Sequence, residues 1–221
     1  PNRALVISFL KHLDRGRWAP EVVTLATQNR FFEPDIRALN VPIVFLKPHN
    51  EFASVVVLWQ LVRHLYGRPC HILHSWLPYT IELGAIAGAF VGISTVIGSL
   101  RSERPGRFPW HYPKWQRGID VLTSPLNTRL IANSKAVRVD NKQWALIPER
   151  KIVTIYNGVE VNQGTPLDPA LQHRLKLELG LPLEAPLVGT VGRLDPEKDH
   201  VTFLRAARRI SHSMPETCFL I

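Results

Sequence analysis

The chain has 221 residues, 45% of them hydrophobic and 20% charged, with a mean hydropathy of −0.02. That composition suits a globular chain of more than one average domain and excludes wholesale disorder. No apolar run reaches the ~18 residues of a membrane span, and 27 Lys and Arg against 18 Asp and Glu leave a charge of +9.

Leu5, Val6, Phe9, Leu10 and Leu13 recur at helical spacing and predict an amphipathic helix over 2–14. Residues 21–27 (EVVTLAT) and 42–46 (PIVFL) read as strands, with a short helix at 33–39 between them. Residues 52–66, carrying Val55, Val56, Trp59, Val62 and Tyr66, read as a longer helix stopped by Gly67 and Pro69. A short strand at 71–74 (HILH), a helix rich in small residues at 78–90 and a strand at 94–99 (STVIGS) follow.

Residues 101–117 break the rhythm, with five Lys/Arg against one acid, four aromatics and three prolines. The pattern resumes with a strand at 130–133, Ser134 as N-cap of a helix to about Trp144, and a strand at 151–156 closed by the turn signal Asn157-Gly158. Glycines and prolines then punctuate 160–186 around one charged helix at 168–179. A second rhythm begins with a strand at 186–191, a helix at 197–212 and a strand at 217–221.

Strands that are continuous apolar runs, alternating with helices, define the α/β doubly wound class with a parallel sheet covered on both faces. The expected organisation is an N-terminal Rossmann-like domain over 1–163, an interdomain linker with a helix over 164–185 and the start of a second Rossmann-like domain over 186–221. The start at Pro1 and the stop within an apolar, β-prone run read as a piece cut from a longer protein at both ends.

The excess of cations points to polyanions, whether nucleic acid, acidic lipid or phosphorylated small molecules. Two cysteines, Cys70 and Cys218, make no disulfide framework, so a reducing compartment is the default. No recognised nucleic-acid-binding motif is visible. The segment 101–117 could bind nucleic acid, lie on a membrane surface with Trp110, Tyr112 and Trp115 at headgroup level, or line a cleft.

The strongest chemical signal is residues 187–198, LVGTVGRLDPEK, a buried strand, a glycine turn and a helix start. Such a turn presents free amides to an anion. Arg193 and Lys198 flank it beside Gly192, and a cation in the first turn of a helix opposes the macrodipole unless something negative arrives. A diphosphate would satisfy both cations; surface ion pairs with Asp195 or Glu197 are the plain alternative. There is no Walker A loop and no GxGxxG, and no His/Cys/Asp cluster has metal-ligand spacing.

The run GTVGRLDPEKDHVTFLRAARRI resembles the opening of the C-terminal domain of glycosyltransferase family 4, retaining enzymes of GT-B fold. Ile131-Ala132-Asn133-Ser134 followed by a helix, then residues 151–159 (KIVTIYNGV), look like that family's passage before its interdomain linker. Residues 71–76 and 95–102 look like the strands feeding its cleft. The resemblance implies a nucleotide-diphosphate sugar as donor, gripped at its diphosphate by Arg193, Lys198 and Gly192, with no metal and no further cofactor. It implies a glycan or lipid-linked acceptor on the N-terminal side; a cytoplasmic location is expected with the reducing compartment, and peripheral contact with the acidic inner face of the membrane suits the charge of +9 and the basic-aromatic segment.

Departures from the family pattern sharpen the site. Where many members place a histidine after the strand corresponding to 95–100, this chain has Arg101, which stays protonated and cannot act as a base. His74, at the end of the preceding strand, is the other candidate catalytic residue. The family's first strand with its glycine-rich loop, and its acidic E-x7-E motif, are not found in the sequence, so the chain alone is expected to be inactive. The alternatives are another GT-B-like activity such as an epimerase or phosphorylase, a non-catalytic basic α/β binding protein, or a degenerate glycosyltransferase remnant.

Overall fold

A computed structural model of the chain describes residues 2–25, 30, 32–46, 53–103, 114–158 and 168–221, with backbone alone at 2, 3, 53, 114 and 197. The chain divides into two compact units, Pro1–Gly158 and Val159–Ile221. The helix that the sequence assigns to a linker belongs to the second of them.

In the first unit the elements run α1 (Asn2–His12), β1 (Val22–Thr24), α2 (Glu33–Ala38), β2 (Ile43–Phe45), α3 (Ala53–Leu65) and β3 (Ile72–Ser75). They continue with α4 (Pro78–Val91), β4 (Thr95–Leu100), α5 (Lys114–Thr123), β5 (Arg129–Ala132), α6 (Lys135–Trp144) and β6 (Ile152–Thr154). β3, β4, β5 and β6 form a parallel sheet in chain order, and β1 pairs parallel with β2. Among the described residues no ladder joins β1 to β3.

Register decides which face holds the core. Leu100 pairs with Ala132 and Ala132 with Thr154, so these positions share one side of the pleat. On that side Leu100, Leu130, Ala132 and Ile152 pack with Ile81 of α4 and Val137 of α6. α4 comes close because it presents glycine to the strands. A Cβ added at Gly84 would stand 2.3 Å from Ser75 Oγ, and one at Gly88 2.6 Å from Val96 Cγ2. A second cluster joins Leu46, Val57, Leu61 and Leu65 to Leu83 and Ala87, with Val23, Val44 and Leu73 against it. β1 and β2 therefore share a core with α3, α4 and β3 although no ladder joins them.

α5 is the element that the sequence reading misses. Its apolar positions Trp115 and Leu122 are 65% and 76% exposed, while Asp120 and Thr123 are buried. The helix is turned polar side inward and held by hydrogen bonds. Gln116 Nε2 donates to Glu82 Oε1 at 2.7 Å, and Trp144 Nε1 donates to Asp120 Oδ2 at 2.7 Å. Of the aromatics in the basic segment, Trp110 and Tyr112 lie outside the described residues.

The second unit contains α7 (Pro169–Glu178), β7 (Leu187–Gly189), α8 (His200–Ser213) and β8 (Cys218–Leu220). Asp168 caps α7 by accepting from the Ala170 amide at 3.0 Å. β7 and β8 pair in parallel through the α8 crossover, and Phe203 meets Phe219 edge-on at 6.2 Å. Among the described residues no helix is long and apolar enough to cross a membrane.

Candidate functional site

The carboxyl ends of β3, β4 and β5 bring His74, Trp76, Arg101 and Asn133 to one edge of the sheet, where ligands bind in open parallel sheets. His74 pairs in register with Ile97, so His74, Ser99 and Arg101 fall on the same side of the pleat. His74 Nε2 shares a 2.8 Å hydrogen bond with Ser99 Oγ, and Ser99 is buried. The Trp76 ring lies 4.7 Å from the His74 ring, and the Arg101 guanidinium sits 5.3 Å from the Trp76 ring centroid. Phe9 of α1 closes the group, its ring 6.1 Å from His74 and 5.7 Å from Trp76. His74 and Arg101, separate in sequence, are thus held together through Trp76.

Two groups here have their pKa values lowered from the ordinary range. Burial, reinforced by the positive charge of Arg101, lowers the His74 pKa to about 4. Its imidazole is neutral at physiological pH. Burial also depresses the pKa of Arg101. Arg101 Nε and Nη2 are buried with no hydrogen-bond partner, and so is Asn133 Oδ1. Asn133 Nδ2 donates to the Arg101 carbonyl at 3.3 Å. In the sequence Asn133 ends a strand and stands beside Ser134, the expected cap of the next helix. The structure divides the pair: Ser134 caps α6 by accepting from the Val137 amide at 3.1 Å, while Asn133 faces the Arg101 segment.

In the second unit Gly192, Arg193 and Lys198 gather in the loop after β7. A Cβ added at Gly192 would lie 3.3 Å from Lys198 Cγ, so the lysine stem passes over the glycine. The Arg193 side chain is 74% exposed, with Nη1 3.6 Å from Asp195 Oδ2. One detail of the sequence reading needs correction. Lys198 ends a 3-10 turn, Pro196–Lys198, and α8 begins only at His200. Asp199 takes a left-handed conformation, φ 47°, which ends the turn, and its carboxylate caps α8 by accepting from the Thr202 amide at 3.2 Å. The negative charge that the macrodipole favours is already in place, and Lys198 is free of that conflict.

The sequence reading gives Trp76, Ser99 and Phe9 no part of their own in the site. Their signal was weak, since an aromatic at a strand end and a serine within a strand are ordinary residues until register places them against His74. Among the described residues no group of three His, Cys, Asp or Glu converges as a metal site would.

Parallel α/β units, the second of them opening with a strand, a basic glycine loop and a helix, are the architecture of the GT-B fold. The model of Glycosyltransferase Family 4 matches residues 4–163, most of the chain, and the chain belongs to that family. It is 31% identical over 108 residues to granule-bound starch synthase 1 of Pisum sativum, an alignment covering 46% of this chain and 17% of the relative. It is 28% identical over 148 residues to alpha-maltose-1-phosphate synthase of Mycolicibacterium smegmatis, covering 63% of this chain and 38% of the relative. Among solved structures, Anabaena HepE in complex with UDP superposes with a TM-score of 0.75 at 19% identity, over 99% of this chain and 56% of that one. UDP-GlcNAc 2-epimerase from Neisseria meningitidis, bound to UDP-GlcNAc, gives 0.55 at 12% identity, over 99% and 62%. These likenesses establish the fold as GT-B. The chain spans well under half of the curated relatives it matches.

Proposed function

We propose that the protein built on this chain is a hexosyltransferase that moves a sugar from a nucleotide-diphosphate donor, with retention, to a glycan or lipid-linked acceptor. The observation that carries this reading is the family match across residues 4–163. The basic loop of the second unit suits the donor. Departure of a nucleoside diphosphate concentrates negative charge on the leaving oxygen, and fixed cations at that position lower the barrier. Arg193 and Lys198 supply that charge in this scheme, with no metal and no cofactor besides the donor. Gly192 lets the chain pass beneath Lys198 without a side chain in the way.

Arg101 and His74 serve the acceptor side. Arg101 stays charged and acts electrostatically. His74, neutral and bonded to Ser99, is too weak a base for proton abstraction at neutral pH and instead holds the Trp76 ring that carries Arg101. The test is calorimetric titration of the full-length protein with UDP, GDP, ADP and their sugars, followed by NMR of the anomeric proton of the product. One nucleotide should bind and donate its sugar with its anomeric configuration kept. An inverted product would remove the retaining assignment, and an absence of nucleotide binding the whole reading.

A cytoplasmic site of action at the inner membrane face is the second part of the proposal. It is supported by Trp115, Ile119 and Leu122, the exposed apolar side of α5, next to Arg117 and a chain of net charge +9. Sedimentation with vesicles containing a quarter phosphatidylglycerol should carry the protein down, and neutral phosphatidylcholine vesicles should not.

A further inference from the structure

Arg101 carries a contradiction that the fold does not resolve. Its Nε and Nη2 are both buried and both lack a partner, and among the described residues no carboxylate pairs with it. These two nitrogens define one edge of the guanidinium, where two N–H bonds point in parallel. That edge matches two oxygens of a carboxylate or phosphate, and arginine uses it for bidentate recognition. Dehydrated donors left unpaired are costly, so such a fork persists where a ligand completes it. The guanidinium is oriented by the Trp76 ring beneath it. Beside it on β5, Asn133 spends its Nδ2 on the Arg101 carbonyl and keeps Oδ1 buried and unpartnered, an acceptor waiting for a hydroxyl.

We propose that the Nε/Nη2 edge of Arg101 recognises an anionic group, carboxylate or phosphate, on a sugar-like ligand, with Asn133 Oδ1 accepting from a neighbouring hydroxyl. Taking that ligand for the sugar acceptor rests on the glycosyl-transfer reading; as an anion site the edge stands by itself. The carboxylate and phosphate offer the same pair of oxygens, and the experiment separates them.

The full-length protein is titrated with glucuronate, glucose 6-phosphate, inorganic phosphate and glucose, with calorimetry as readout and with UDP binding followed in parallel. At least one anionic sugar should bind tenfold or more tightly than glucose, and which one binds identifies the group. Inorganic phosphate binding alone, without preference for either anionic sugar, would overturn the sugar-like ligand. Arg101→Met should abolish the preference without lowering the melting temperature, because it removes an uncompensated charge. Arg101→Lys, which keeps the charge and loses the fork, should lose most of the preference, and it decides the matter should the methionine variant fail to fold. Asn133→Asp should weaken anionic sugars by placing a like charge beside them. Equal binding of anionic and neutral sugars, with UDP binding intact, overturns the proposal and leaves the donor reading standing. An Arg101-dependent anionic preference without nucleotide binding does the reverse.

Discussion

Arg101 and Arg193 each follow a strand of a parallel sheet, one in each unit, and their surroundings are opposite. Arg193 is 74% exposed, with a carboxylate oxygen of Asp195 3.6 Å away. Arg101 has two donors buried and unpartnered, on an aromatic ring that is itself stacked against His74. Charges in water are screened, and a cation like Arg193 gains strength only when a ligand excludes solvent around it. The Nε and Nη2 of Arg101 are already out of water, and its charge helps to hold His74 neutral. One unit thus presents a solvated cation, the proposed clamp, and the other a guanidinium edge out of water, the proposed fork.

The largest expected effect breaks the clamp. If Arg193 holds the donor as proposed, Arg193→Ala in the full-length protein should cost about 2–4 kcal/mol of transition-state stabilisation, roughly 30- to 900-fold in kcat/KM, with no change in melting temperature. Near-normal turnover would remove Arg193 from the donor site. Next comes the platform under the fork. Gly88→Val drives a side chain into Val96, 2.6 Å from the Cβ position, and should cost about 1–3 kcal/mol in chemical denaturation. Gly192→Ala meets only the flexible stem of Lys198 at 3.3 Å and should stay within about 0.5 kcal/mol. Equal losses at the two glycines would contradict the contrast in packing.

A smaller effect is written in pH. The unfolded imidazole of His74 takes up a proton near its ordinary value of 6.5 and the folded one only near 4. Protons in that interval favour the unfolded chain, so stability present above pH 6.5 is lost progressively as the pH falls toward about 4. His74→Phe should flatten that part of the profile. Arg101→Met should raise the His74 pKa in an NMR titration, whereas Arg193→Ala should leave it unmoved. The smallest effect concerns α5: Leu122→Glu should change stability by less than about 0.5 kcal/mol because the side chain is 76% exposed. The same variant should weaken sedimentation with anionic vesicles.

Much of this was legible from the sequence because burial and periodicity agreed. The strands β3 to β6 stood out in the sequence as short apolar runs bounded by turns and helices. Ser134 announced its helix as a cap, whereas Asp168, read as the first helical residue, proves to be the cap of α7. α5 was hidden because its apolar side faces out and its polar side is buried by Glu82 and Trp144, partners distant in sequence. The late start of α8 was hidden because a left-handed Asp199 leaves no trace in periodicity. At the site, Arg193 and Lys198 were visible as cations beside a glycine turn, and Arg101 as an arginine at a strand end. That Arg101 is dehydrated, stacked and unpaired depends on Trp76, Ser99 and Asn133 arriving from three strands, and register alone brings them together.

The division of labour between clamp and fork is tested most directly by nucleotide binding to the full-length wild type, Arg193→Ala and Arg101→Met, measured side by side by calorimetry with the nucleotide that the wild type prefers. The account predicts that Arg193→Ala loses tenfold or more in affinity while Arg101→Met stays within twofold of the wild type. Equal losses in the two variants, or full affinity in Arg193→Ala, would contradict it.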